Sequence, residues 1–460
     1  MSALSILATL KLKPEQIKTD TESIQHYAKD WTTYFDIKAA AVVFPESTED
    51  VVHIVQWARQ NKVALVPSGG RTGLSGAACA LNNEVVVSFE KMNRILSFNE
   101  IDSTLEIEPG VITESLQNYA KSKNLFYPVD FAARGSAQMG GNIATNAGGI
   151  KVLRYGLTRD WVAGLEVVTG AGEVLLLNNA LIKNATGLDL RHLFIGSEGL
   201  LGFITKATIK LTVKPAEFKV LLFAIHQLSD IMQVFAEFKN NFQLQAFEMF
   251  SEKALTAVIK STGLPRPFET LTDFYVVCEV ECPTEKTEEA IMQIFENCLE
   301  KGWITNGLVS QSEAQTKTFW RYREDITEAL SPHTPYKNDI SVRVSKVPDF
   351  VNDLDEVFNK AYPTWEVVWF GHIGDGNLHI SILKPPGMSK ENFVAECRKV
   401  DALVFAAVQK QQGSISAEHG VGLTKKSFLT YTRSQSEIEL MRGIKKVFDP
   451  DSIMNPGKVI

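Results

Sequence analysis

The sequence predicts an α+β protein of more than one domain, on three observations. Strand-like and helix-like patterns alternate along the whole chain. A change of composition falls at Thr212-Val-Lys-Pro-Ala216. At 460 residues the chain exceeds what one ordinary core holds. The expected parts are 1–214, 215–415 and a C-terminal segment, 416–460, that opens on Ser416-Ala-Glu-His.

In the first part, Ala40-Ala-Val-Val-Phe44 reads as a strand ended by Pro45, and Ser47 with Asp50 opens a helix through Ala58. Val63-Ala-Leu-Val-Pro67 is a second short strand, and Glu84–Ser88 and Thr104–Glu108 are two more. Thr113 is placed to cap a helix reaching Lys123. Beyond the break, Phe218–Ile225 reads as strand and Ser229–Lys239 as helix, and the alternation that follows suits an antiparallel sheet carrying helices. Near the end, Val400–Gln411 and Ser436–Val447 have helical spacing.

Composition narrows the function. Hydrophobic residues are 45% and charged residues 22%, as in globular chains, and the net charge of −7 argues against nucleic acid as a partner. No apolar run reaches the length of a transmembrane segment. Met1–Leu10 is short and is followed by Lys11 and Lys13, so no leader peptide is expected. The five cysteines are odd in number and scattered, which predicts reduced thiols and a cytoplasmic protein. They lack iron–sulfur spacing; Cys278, Cys282 and Cys79 read as packing residues.

Two glycine-rich stretches carry the first functional signal. They are Pro67-Ser-Gly-Gly-Arg-Thr-Gly73 and Gly140-Gly-Asn-Ile-Ala-Thr-Asn-Ala-Gly-Gly149. Glycine lets the backbone approach an anion, and consecutive amides make an anion nest. Neither matches the Rossmann or P-loop pattern, and each alone is more simply a loop. Two in one half, with Gly196-Ser-Glu-Gly-Leu-Leu-Gly202, favour a large phosphate-bearing cofactor.

The second signal lies near the C-terminus. His372 and His379 flank the turn residues of Gly371-His-Ile-Gly-Asp-Gly-Asn-Leu-His379, and Glu418 is followed directly by His419. Most histidines in proteins are ordinary surface or core residues, and seven-residue spacing also suits one helix face. Here the intervening glycines, Asp375 and Asn377 favour a hairpin between Val367–Phe370 and Leu378–Ile382, which sets the two rings side by side. Two imidazoles and a carboxylate form an open metal site, most simply zinc, with manganese or cobalt able to substitute. His419 is then placed to act as the base.

These motifs together resemble a known family. Pro67–Gly73, Gly140–Gly149, Arg154-Tyr-Gly156 and Phe194-Ile-Gly-Ser-Glu-Gly199 resemble the flavin domain of the vanillyl-alcohol oxidase superfamily. Gly371–His379, Ser416-Ala-Glu-His-Gly420 and Met454-Asn-Pro-Gly-Lys458 are similar to its FAD-linked D-2-hydroxyacid dehydrogenase branch, over nearly the whole chain past residue 35. Lys183-Asn-Ala-Thr-Gly187 and Ile150–Gly156 are most similar to the members acting on D-2-hydroxyglutarate.

The resemblance implies a two-part FAD-binding domain, an antiparallel-sheet substrate domain, and a C-terminal helical segment that returns to the flavin. It implies FAD held by Pro67, Ser68, Gly69, Gly70, Arg71, Thr72 and Gly73 at the pyrophosphate. Gly140, Gly141, Asn142, Thr145, Asn146 and Gly149 would serve the ribityl and ring region, with Glu198 and Asn455 nearby. With no histidine or cysteine in 67–76, the FAD is expected to be non-covalent.

The resemblance also implies that Arg323, Thr327 and Lys337 bind the substrate carboxylates; spacing puts Arg323 and Thr327 on one helix face. Read as a strand, Lys337–Val344 puts Lys337, Asp339, Ser341 and Arg343 on one face; Ser381, where this group usually has asparagine, shares a face with His379. Arg323, Lys337 and Arg343 are more cations than one carboxylate needs, which predicts a D-2-hydroxy dicarboxylate: D-2-hydroxyglutarate first, D-malate next. The competing readings are a D-lactate or other monocarboxylate dehydrogenase, a metallohydrolase with a glycine-rich accessory domain, and a non-catalytic flavin carrier. With no nicotinamide motif, the electron acceptor is expected to be separate, an electron-transfer flavoprotein or a quinone; a homodimer is compatible with the sequence.

Overall fold

The computed structural model describes residues 7–32 and 35–460; most of the Met1–Leu10 stretch, residues 1–6, lies outside them. The chain forms two compact units. Residues 1–148, 156–214 and 418–460 make the first, and residues 149–155 and 215–417 make the second.

The first unit is built on two main sheets. One has the order Ile17–Lys18, Ala39–Val43, Glu84–Ser88, Leu65–Ser68, its last three strands parallel. Parallel strands need a crossover, and the helix Thr48–Asn61 carries the chain from Ala39–Val43 to Leu65–Ser68, on the far side of Glu84–Ser88. Ser47 caps that helix by accepting the Asp50 amide at 3.1 Å, while the Asp50 carboxylate turns to the Glu46 amide instead of closing a reciprocal box. The helix buries Val51, Ile54 and Val55 on a core with Val43, Leu65, Val85 and Val87. Each such fully buried side chain contributes about 1.5–3 kcal/mol.

The other sheet is antiparallel, in the order Ile95–Asn99, Thr104–Ile107, Gly202–Lys210, Val162–Thr169, Val174–Leu177. Its core gathers Leu105, Ile107, Leu116, Ile143, Val167 and Ile209. Thr113 does not cap its helix: it is the first residue of Thr113–Ser122, and Ile112 precedes it at the cap. The Thr113 hydroxyl is spent on the Ala137 carbonyl at 3.1 Å and on the Asn142 amide at 2.6 Å, so it braces the second glycine stretch instead. The final helix, Gln435–Phe448, opens on a closed capping box between Ser434 and Glu437.

The second unit is a seven-stranded antiparallel sheet. The order is Asn306–Val309, Phe218–Ile225, Phe274–Glu281, Leu244–Ser251, Val367–Gly371, Asn377–Ile382, Tyr336–Ser341. Every residue of the central strand Leu244–Ser251 is buried, which requires cover on both faces. The expected Val400–Gln411 helix is the second half of Lys390–Lys410, whose start is capped by Ser389. Among the described residues no helix is long and apolar enough to cross a membrane.

Candidate active site

In the first unit a cavity of about 680 Å³, counting its open mouth, runs between the two glycine stretches. Pro67, Ser68 and Gly69 line one side; Gly140, Gly141, Thr145 and Glu198 line the other. Gly70 lets the first stretch pack against the backbone just before the second. A Cβ there would stand 2.2 Å from the Ser136 carbonyl oxygen and 2.8 Å from the Ala137 Cα. Gly140 donates to the Pro109 carbonyl at 2.7 Å, fixing the second stretch.

The donors suit a phosphate-bearing group. Among the described residues, the amides of Gly69, Gly70, Arg71, Thr72 and Gly73 donate to no protein acceptor. Such a row of unspent N–H groups favours an anion. Gln138 Oε1, on the cavity wall, and Asn455 Oδ1, beside it, are buried without hydrogen-bond partners among the described residues.

Other expected ligands fall elsewhere. Gly70, Arg71, Thr72 and Gly73 lie outside the lining. The Arg71 guanidinium sits 4.8 Å over the Tyr27 ring and 3.1 Å from His26 Nε2, which occupies it away from the cavity. Asn142 and Asn146 do not line the cavity: Asn142 is committed to Thr113, and Asn146 Oδ1 accepts the Arg159 amide at 3.0 Å. Gly149 belongs to the second unit. Gln138, Phe89 and Phe203 line the cavity with no sequence signal to announce them.

Glu198 is fully enclosed. Its carboxylate accepts the Val421 amide at 2.8 Å and the Gly422 amide at 2.9 Å, and its backbone carbonyl accepts from Asn455 Nδ2 at 2.7 Å. Burial pushes its carboxyl up to about 7; the two amides and Lys425 oppose the rise, and Asp30 adds to it. The unfolded chain releases this proton near 4.5, the native chain only near 7. Glu198 therefore stabilises the native state below the lower value and loses that contribution as pH rises through the higher. The apoprotein should lose up to roughly 3 kcal/mol from this one group between those pH values. Denaturant titrations across the range should be flatter for Glu198→Gln; an identical slope in the variant would show that the group is not perturbed.

Cys79 is near the glycine loop but unsuited to tether a flavin. Burial and Asp30 push its thiol up to about 11, and its sulfur lies 3.5 Å from Asp30 Oδ1.

In the second unit the predicted hairpin forms, with Phe370 paired to His379. The rings of His372 and His379 stand 5.4 Å apart. The turn is held by Asp375 Oδ1, which accepts the Asn377 amide at 3.0 Å. His372 Nδ1 lies 2.8 Å from Glu248 Oε1. An ionised carboxylate only accepts, so Nδ1 carries the proton of this bond, and in the neutral ring Nε2 is the lone-pair nitrogen. His379 Nδ1 is 3.7 Å from Asp339 Oδ1, and the same oxygen accepts from Asn377 Nδ2 at 2.9 Å.

Glu248 joins this pair to Arg323. Arg323 Nη2 is 2.9 Å from Glu248 Oε2, an ion pair whose alignment falls outside hydrogen-bond geometry, since both that oxygen and Arg323 Nε lack hydrogen-bond partners among the described residues. Burial resists ionisation of Glu248, but His372 and Arg323 outweigh it and hold the carboxyl below its ordinary value. The Arg323 guanidinium also stacks 5.1 Å over Phe370. Glu248 was absent from the expected set, although a lone carboxylate inside the apolar run Leu244–Ser251 was a signal.

Three substrate expectations are corrected. The helix carrying Arg323 ends at Glu324, and a new one starts at Ile326; Arg323 is buried and Thr327 exposed, so they do not share a face. The third strand ends at Ser341, and Arg343 is exposed with its guanidinium 3.4 Å from Gln412. Arg323 is not a surplus cation, because Glu248 already neutralises it. What survives is Lys337. It pairs in register with Ser381, two residues from the Asp339–His379 pair on the same face. Among the described residues it has no ion-pair partner, and burial alone draws its pKa down. The Ser381 hydroxyl is buried with no hydrogen-bond partner among the described residues. In the first unit, Glu418 and His419 begin the returning segment, with His419 Nε2 3.7 Å from Glu418 Oε1.

Comparison with known proteins decides the family. Residues 39–178 match the FAD binding domain model, and residues 214–459 match the model of FAD linked oxidases, C-terminal domain. The chain belongs to the FAD-linked oxidases and is an FAD-dependent dehydrogenase of their D-2-hydroxyacid branch. It is 54% identical over 448 residues to the D-2-hydroxyglutarate dehydrogenase of Stutzerimonas stutzeri (strain A1501), covering 97% of each chain. It is 52% identical over 444 residues to that of Xanthomonas citri pv. viticola, covering 96% of this chain and 94% of that one. The fold is that of 4-ethylphenol oxidase from Gulosibacter chungangensis, with a TM-score of 0.77 at 16% identity over 100% of this chain and 98% of that one. This bears out the vanillyl-alcohol oxidase architecture and the FAD expected from the sequence.

Proposed function

We propose that this dehydrogenase oxidises D-2-hydroxyglutarate to 2-oxoglutarate, with D-malate as a second substrate. The observation that carries the reading is Lys337, a half-buried cation without an anionic partner among the described residues, on the strand face that also carries Asp339. A half-buried unpaired cation is costly, and a second substrate carboxylate is its natural counter-ion. Likeness to the two bacterial D-2-hydroxyglutarate dehydrogenases supports the same choice.

The roles divide as follows. Lys337 binds the distal carboxylate, and Ser381 offers a hydroxyl beside it. Arg323, held by Glu248 and stacked on Phe370, presents its remaining N–H groups to a carboxylate. His372, His379 and Glu418 hold a divalent cation, zinc by preference. That cation supplies Lewis-acid polarisation of the substrate hydroxyl. His419 takes the hydroxyl proton at a ring nitrogen. FAD supplies the two-electron acceptor for the α-hydrogen. The unspent Gly69 amide, on the cavity wall, would hold its pyrophosphate, and the cavity walls would shield it from water. Turnover ends on a separate acceptor, an electron-transfer flavoprotein or a quinone. Five free cysteines support a reducing, cytoplasmic setting.

The Arg323–Glu248 pair favours a second reading, a D-2-hydroxy monocarboxylate such as D-lactate, because it removes one cation from the count. Anaerobic bleaching of the flavin separates the two. D-2-hydroxyglutarate should give the highest kcat/KM, and Lys337→Met should raise its KM about 10–100-fold while changing D-lactate less than about 3-fold. D-lactate as the best substrate, or equal losses on all acids, would refute the dicarboxylate reading.

The flavin should also be dissociable. Loop 67–76 holds no histidine or cysteine, and the Cys79 thiol is protonated and enclosed. Acid precipitation should leave the yellow colour in the supernatant; colour in the pellet would mean a covalent link.

A further inference from the structure

We propose that Glu198 is a positioning residue for His419: from the wall of the flavin cavity, its carboxylate holds the Val421 and Gly422 amides, one residue beyond the Glu418-His419 pair. The inference rests on the reading of His419 as the base.

Glu198 spends both carboxylate oxygens on one turn, Oε1 on the Val421 amide and Oε2 on the Gly422 amide. With the carboxyl ionised, bonds of this kind are charge-assisted and about twice as strong as neutral ones, and a buried pair is costly to break. The approach is close. Gly420, with φ +80°, lies where an added Cβ would stand 2.9 Å from the Glu198 carboxyl carbon, so residue 420 has to be glycine. The next two amides, of Leu423 and Thr424, donate to the Ser75 carbonyl at 2.8 and 3.1 Å. The turn after His419 is thus pinned first by Glu198 and then by Ser75, just past the first glycine stretch.

Glu198 is itself over-determined. It is a non-glycine residue at φ 49°, and its carbonyl is held by Asn455, whose own amide donates to the Leu65 carbonyl at 2.8 Å. Strained backbone of this kind persists only where the surroundings impose it. A carboxylate accepts both amides at once; a glutamine side chain presents one oxygen and one NH2, so it keeps one bond and opposes the other.

The test is single-turnover flavin reduction in the holoenzyme, using whichever of D-2-hydroxyglutarate, D-malate and D-lactate bleaches the wild type fastest. Wild type, Glu198→Gln, His419→Ala and the double variant are compared, with flavin content measured for each. Glu198→Gln should keep its FAD and reduce about 10–100-fold more slowly, the cost of a small displacement of a reacting group. In the His419→Ala background it should add nothing further. Wild-type rates in Glu198→Gln beside a slow His419→Ala would overturn the positioning role alone. Equal slowing in both backgrounds, or loss of FAD from Glu198→Gln, would overturn it in favour of a cofactor contact. Wild-type rates in His419→Ala would sink the base assignment on which the inference stands. Hydrogen exchange on the wild-type holoenzyme gives an independent reading should the variant misfold: the Val421 and Gly422 amides should be strongly protected, and rapid exchange at both would overturn the clamp.

Discussion

Dialysis against a strong chelator should abolish reduction of the flavin by every D-2-hydroxyacid while leaving the flavin bound. The expectation comes from the way the second unit holds its two histidines. Glu248 accepts from His372 Nδ1, which in the neutral ring leaves Nε2 as the lone-pair nitrogen, and Asp339 stands 3.7 Å from His379 Nδ1. A carboxylate hydrogen-bonded behind an imidazole, as Glu248 is behind His372, fixes the tautomer and raises the basicity of a metal ligand. A purely structural histidine has no need of a buried ion for company, and Glu248 is enclosed at high desolvation cost. Two imidazoles and a carboxylate suit zinc, and manganese or cobalt should restore activity to the stripped enzyme. Glu248→Gln should weaken metal binding about 10–100-fold, the usual cost of losing such a partner. It should also loosen Arg323, so KM rises with it. Full turnover by enzyme shown to contain no metal would end this reading.

The parts of the molecule legible in the sequence are those set by local pattern. The His372–His379 hairpin could be read because glycine, aspartate and asparagine force a turn and apolar runs flank it on both sides. The glycine stretches could be read because an anion-binding backbone needs glycine. What escaped is set by contacts distant in sequence. Glu248 lies 124 residues from His372, and only the folded sheet makes them neighbours. The same pairing cancels Arg323, so counting cations along the chain overestimated the free charge. Asn142 reads as a cofactor donor until Thr113, 29 residues away, takes it up. Arg343 fails for a local reason: the strand stops at Ser341, where the backbone leaves the sheet for a short helical turn at Val344–Lys346. Period-two alternation carries no information about where a strand ends.

His419→Ala should leave flavin and metal content unchanged and slow flavin reduction by roughly 10²–10⁴-fold, the range for loss of a general base. Oxidation of an alcohol by hydride transfer needs somewhere for the hydroxyl proton to go, and the side chain best suited to accept one near neutral pH is histidine. His419 is partly exposed, with 23% of its side chain accessible, so it can pass the proton on to solvent. It lies beside Glu418, and its turn is fixed by the Glu198 clamp. Truncation should therefore remove the base without unfolding the turn, and the lost rate should fall on the reduction step, with substrate affinity nearly unchanged. An added small base such as imidazole should recover part of the rate in His419→Ala and none in His372→Ala. Reduction at the wild-type rate would exclude His419 as the base, and loss of the metal from His419→Ala would make it a ligand.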